Sequence, residues 1–136
     1  MYKLIEHTAD MGIEAWADSA VMVLVEMAQG LKALMFGESP ASAKLDKQIE
    51  LHAEDPAELL VCWLNEIAYW SEKNNLVPAA FRIDLLNHAA LRATVWGEPF
   101  DTSRHSVERQ VKSVTYHQAC LEELAEAWHA RVYVDL

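Results

Sequence analysis

Apolar and polar residues alternate with a period of two along several separate stretches of this chain. Tyr2 to His7 is the first, and a shorter one runs from Ile13 to Ala17. Leu45 to Ala53 sets Leu45, Ile49, Leu51 and Ala53 against Asp46, Gln48, Glu50 and His52, with Lys47 the exception. Ala80 to Leu86 and Ala90 to Trp96 flank Asn87-His88 and predict a hairpin. Val111 to Cys120 and Trp128 to Asp135 complete the set. Two stretches have helical spacing instead. Ser19 caps the first, which runs to about Phe36 through Met22, Val25, Ala28, Leu31 and Leu34, with Gly37 just past its end. Gly30 inside it costs about 1 kcal/mol relative to Ala, which close packing would explain. The second helix begins at Asp55-Pro56-Ala57-Glu58, where Asp55 caps, Pro56 suits the first turn and Glu58 completes a capping box. It buries Leu59, Leu60, Trp63, Leu64, Ile67 and Trp70 and ends near Asn74-Asn75. Leu121 to Ala127 is ambiguous between helix and hairpin. The pattern predicts an α+β fold, a two-layer sandwich with a mostly antiparallel sheet of six to eight strands and two main helices.

The 136 residues read as one domain, 1–136, and 52% apolar content excludes a disordered chain. No apolar run approaches the roughly 20 residues that span a bilayer, and the N-terminus begins directly as a strand, so neither membrane span nor targeting segment is expected. Cys62 and Cys120 lie far apart in apolar contexts, as buried reduced thiols of a cytoplasmic protein do. The net charge of −10 argues against strong direct nucleic-acid binding, which depends on Lys and Arg neutralising phosphates, and favours a protein partner.

Phosphate-binding Gly-rich loops, dinucleotide fingerprints, nucleophile elbows and zinc-ligand spacings are all missing from the sequence. Four features carry chemistry. Asp10 sits in the turn His7-Thr8-Ala9-Asp10, where it serves either as a turn aspartate bonding its own backbone or as a ligand. Asp135 and the α-carboxylate of Leu136 end the final strand pattern; held in place, they and a third carboxylate from a turn suit Ca²⁺ or Mg²⁺, while a frayed terminus would serve no such role. Lys112 opens a strand and can contact phosphate or carboxylate, or simply be solvated. His105 and His117 offer acid–base or metal chemistry, but no partner spacing supports either. The tryptophans read as packing residues on helix and strand core faces.

Taken in order, His7-Thr8-Ala9-Asp10 with Gly12, Leu64-Asn65-Glu66, Gly97-Glu98-Pro99-Phe100-Asp101 with Arg104-His105, Val111-Lys112-Ser113-Val114-Thr115-Tyr116-His117, and Val134-Asp135-Leu136 resemble the archease family over the whole length. Archeases assist the GTP-dependent tRNA-splicing RNA ligase, promoting its guanylylation and multiple turnover. The resemblance implies an archease-like two-layer α+β fold and a divalent metal, Ca²⁺ first and Mg²⁺ second, on Asp10, Asp135 and Leu136. It puts the family's essential lysine at Lys112, with Glu66, Arg104 and His105 as further partner or phosphate contacts. Glu6 where the family often has Asp, Met11 where Ile is usual, and an atypical Leu121 to Ala127 segment depart from the pattern.

The expectation is therefore a cytoplasmic ligase activator that is not itself an enzyme. The alternative is a chaperone-like modulator of an RNA-modifying enzyme with a structural metal. A small metal-dependent hydrolase using His105 or His117 ranks third.

Overall fold

Each periodic stretch becomes the element its spacing demands, in the order β1 (Tyr2–Glu6), β2 (Met11–Ala17), α1 (Ala20–Phe36), β3 (Leu45–His52), α2 (Pro56–Asn74), β4 (Leu76–Leu86), β5 (Ala90–Pro99), β6 (Ser113–Glu123) and β7 (Trp128–Asp135). The computed structural model describes residues 1–6 and 11–136. The strands form two antiparallel sheets, one ordered β1-β2-β7-β6 and the other β3-β5-β4. With the two helices they make the α+β sandwich that the hydrophobic pattern predicts.

Local chemistry sets the helix ends. The Ser19 hydroxyl accepts from the Met22 amide at 3.1 Å, and the Asp55 carboxylate accepts from the Glu58 amide at 2.8 Å, so each cap satisfies an amide the first turn leaves free. Gly37 closes α1 at φ 60°, and Asn75 closes α2 in the left-handed region at φ 53°. The Trp63 indole donates to the Leu24 carbonyl at 3.0 Å inside the core, tying α2 to α1 through a group that burial would otherwise leave unpaired. Gly30 is explained by contact: a Cβ there would lie 2.6 Å from Ile13 Cγ2 of β2.

Tertiary pairing changes some local expectations. Leu121 to Ala127 forms no helix. β6 continues to Glu123, the Leu124 amide bonds the Ala127 carbonyl at 2.8 Å, and the chain returns as β7. Register bonds along β7 outweigh the modest helix propensity of Leu-Glu-Glu-Leu-Ala. β4 starts at Leu76 and takes in Pro78, which an edge strand tolerates at the register shift between Pro78 and Ala80. β3 is also an edge strand, and along it only Ile49 is buried while Leu45 is exposed. Trp63 and Trp70 are core residues. Trp16 and Trp96 instead lie half-buried beneath cations, Lys3 and Arg82.

β6 carries the irregularity that matters most. Thr115 pairs with Tyr133 and Cys120 with Arg131, so β6 spends five steps where β7 spends two. Gln118 absorbs the excess at φ 57°. An odd number of extra residues reverses which side chains face out. Val114 faces the core opposite Val134, yet Cys120 and Glu122 face outward opposite Arg131 and His129.

Candidate functional site

β7, an interior strand, finishes at one end of its sheet, beside the start of β6. The Lys112 amide donates to the Asp135 carbonyl at 2.9 Å, and Ser113 pairs with Asp135. The end of β7 is therefore held by ladder bonds up to Asp135, with Asp135 and Leu136 exposed. Lys112 is exposed too, so a lysine and an aspartate lie on adjacent segments of the chain at the same end of the sheet. On the other side of β7, Val134 pairs with Met11, the residue that follows Asp10. Asp10 itself, with the rest of the His-Thr-Ala-Asp turn, lies outside the described residues. The donor described here, the side-chain carboxylate of Asp135, is a hard oxygen of the kind Ca²⁺ and Mg²⁺ take.

Asn65 of α2 fixes the start of β6. Its Oδ1 accepts from the Val114 amide at 2.8 Å and its Nδ2 donates to the Val114 carbonyl at 3.0 Å. One side chain thus mimics a neighbouring strand and pins Lys112, two residues away. Glu66 follows Asn65 on α2 and is half-buried.

Arg104 and His105 belong to a different cluster. Glu98 on β5 is 1% exposed, and its carboxylate accepts from the Ser42 amide and from Arg104, with Lys44 Nζ 3.9 Å away. The Ser42 amide, followed by the Arg104 guanidinium and Lys44, holds the Glu98 carboxyl below the usual range against the opposing effect of burial. The His105 side chain is wholly buried, its Nδ1 accepting from the Asp101 amide at 3.0 Å and its Nε2 3.8 Å from Glu98. It packs against Phe100, which packs in turn against Phe36. Further on, the Glu108 amide bonds the Met35 carbonyl at 2.8 Å, docking the connection on the end of α1. Arg104 and His105, expected as partner or phosphate contacts, both face Glu98: Arg104 pairs with it while remaining exposed, and His105 is buried behind it. His105 has no surface to offer a partner. His117 is exposed near the β6 bulge.

The structure brings Asp135, Leu136 and Lys112 together and sets Arg104 and His105 apart around Glu98. Asn65 and Glu98 organise both regions, yet reading the sequence singled out neither as a site residue. Their signal is burial of a polar side chain, which a sequence does not display. Beneath the connection, an apolar cavity of about 320 Å³ is lined by Met35, Phe36, Leu76, Phe100 and Val111 among others. No helix among the described residues is long and apolar enough to cross a membrane.

The class defined here is a small α+β sandwich with an exposed aspartate and an exposed lysine on adjacent segments at one end of its four-stranded sheet. The profile of the Archease protein family (MTH1598/TM1083) matches residues 2–136, and the chain belongs to that family. Protein archease of Methanopyrus kandleri is 35% identical, covering 97% of this chain and 96% of the relative. Protein archease of Pyrococcus furiosus is 30% identical, covering 96% and 95%. The solution structure of protein 1598 of Methanobacterium thermoautotrophicum superposes with a TM-score of 0.82 at 25% identity, over 99% of this chain and 98% of that one. The crystal structure of a Thermotoga maritima archease, described as a possible chaperone, shares the fold with a TM-score of 0.65 at 22% identity, over 97% and 94%.

Proposed function

We propose that this chain activates a GTP-dependent tRNA-splicing RNA ligase, promoting its guanylylation and repeated turnover, and does not itself catalyse the joining. The observation that carries the reading is the bond between the Lys112 amide and the Asp135 carbonyl, which sets the lysine beside the carboxylate end of β7. Asp10, Asp135 and the terminal carboxylate of Leu136 are the residues that would hold a divalent ion, Ca²⁺ or Mg²⁺. Such an ion, when bound, supplies positive charge against phosphate oxygens. Lys112 presents its ammonium to the same phosphates or to the ligase, and Glu66 extends that surface along α2. With a net charge of −10 the chain is suited to meet a protein and not bare RNA. The reading puts the protein in the cytoplasm, where free thiols such as Cys62 and Cys120 persist.

The test is ligase turnover with and without the protein. Stimulation is expected from the unmodified chain, with Lys112→Ala and Asp10→Ala each losing about tenfold or more, the scale of one charge-assisted contact. Absence of stimulation by the unmodified chain overturns the activator reading. Residues appended after Leu136 should weaken metal binding if its carboxylate is a ligand. A second reading, a chaperone-like modulator with a structural metal, draws on the description of the Thermotoga protein and on the apolar cavity under the 100–112 connection. It predicts suppressed heat aggregation of an unrelated client, which the activator reading does not.

A further inference from the structure

A second constellation lies on the outer face of the four-stranded sheet, on side chains that the archease reading does not use. Cys120 and Glu122 project from β6 and His129 from β7. Their donor atoms all lie within 4.8 Å of one another. His129 Nδ1 is 3.8 Å from Cys120 Sγ and 3.1 Å from Glu122 Oε1. A tetrahedral zinc ion with ordinary bond lengths separates its sulfur and nitrogen ligands by about 3.6 Å, and its nitrogen and oxygen ligands by about 3.3 Å. The observed spacings are within a few tenths of an ångström of both.

The surroundings complete the arrangement. The other ring nitrogen, Nε2, lies 2.7 Å from Glu14 Oε2 on β2. A carboxylate on the far nitrogen of a ligating imidazole fixes its tautomer and raises its basicity. The Trp16 ring packs at 5.4 Å and holds the imidazole plane. Lys3 lies 3.6 Å from the remaining Glu14 oxygen, and Arg131 is engaged by the Gln118 carbonyl at 3.2 Å, so neither cation occupies the space between the three donors. Glu122 is half exposed, which leaves an approach from solvent and room for a fourth, water ligand.

We propose that Cys120, Glu122 and His129 form a binding site for a borderline-soft divalent ion, zinc in the first place, with Glu14 orienting His129. The thiolate and imidazole donors select zinc over the hard ions that suit the carboxylates at the end of β7. Uptake displaces the thiol proton of Cys120, and the ion takes the Nδ1 lone pair of the His129 tautomer whose Nε2–H donates to Glu14. The site is independent of ligase activation.

The experiment is a Co²⁺ titration of the full, reduced protein, read by thiolate-to-cobalt absorption in the near ultraviolet. A saturable band at one ion per chain, bleached by Zn²⁺, is expected for the unmodified protein and for Cys62→Ser and Asp135→Ala. Loss of the band is expected in Cys120→Ser, and Glu14→Gln should weaken affinity by about 10- to 100-fold. A parallel measurement needs no variant: Zn²⁺ should slow alkylation of Cys120 and leave that of Cys62 unchanged. No thiolate band in the unmodified protein, a band surviving in Cys120→Ser, or equal alkylation of Cys120 with and without Zn²⁺ overturns the proposal.

Discussion

Asn65 shows how much one side chain decides here. Its amide group satisfies both the N–H and the C=O of Val114, where β6 begins. Replacing it by Ala leaves two backbone groups without partners in a half-buried setting. A loss of about 1–3 kcal/mol in unfolding free energy is expected, measured by urea denaturation. Because Lys112 lies two residues away, the same variant should also reduce any ligase stimulation, whereas a surface substitution of equal stability cost should not. Gly97 is constrained in the opposite sense. A Cβ there would sit 2.5 Å from the Val77 carbonyl oxygen on the paired strand β4. Gly97→Ala must therefore push two hydrogen-bonded strands apart, at a cost of about 1–3 kcal/mol, the range for overpacking. The calorimetric Tm is the check.

Elements differ in how far their own sequence specifies them. α2 is specified twice over, by its cap and by its apolar stripe, and both are seen. Asp55→Ala removes the acceptor for the Glu58 amide and should cost about 1 kcal/mol, read from the denaturation midpoint, while Asp55→Asn should cost little. The segment after Cys120 is the contrary case. Its residues favour a helix locally, yet the ladder with β7 and the outward placement of Glu122 make it a strand and a turn. Asn87 ends the other hairpin by accepting from the Ala89 and Ala90 amides at 2.9 and 2.8 Å, a turn its residue type announces.

Across the whole molecule, the buried Glu98 is the point where β5, the segment before β3 and the 100–112 connection meet. Its carboxyl titrates below the usual range, first because the Ser42 amide donates to it and then because Arg104 and Lys44 stand beside it. A carboxyl whose folded value lies below its unfolded one adds stability above the unfolded value, about 4.3 for Glu, and loses it as pH falls through the folded value. Urea midpoints of the unmodified protein and Glu98→Gln should therefore differ clearly at neutral pH and draw together as pH falls from the unfolded value through the folded one. Asp101, held low by the Ser103 amide and hydroxyl, acts in the same direction. A Glu98→Gln protein that kept the full acid sensitivity of the parent would place the titrating group elsewhere.

What the sequence determined by itself were the quantities that depend on near neighbours: periods of two and 3.6, the caps Ser19 and Asp55, the turn at Asn87, and hence an α+β sandwich with two helices. It also gave the acidic character and the motifs that mark an archease. Tertiary structure decided what depends on register. Whether Lys112 meets Asp135, whether Glu98 finds Ser42 and Arg104, and whether His105 is buried follow from chain segments brought together from distant positions. The β6 bulge is the sharpest instance. Strict alternation would send Cys120 to the core with Val114, but the odd insertion around Gln118 turns it outward, beside His129 and Glu122. A period-two pattern carries no record of such a shift, because the cost of a bulge is set by the partner strand.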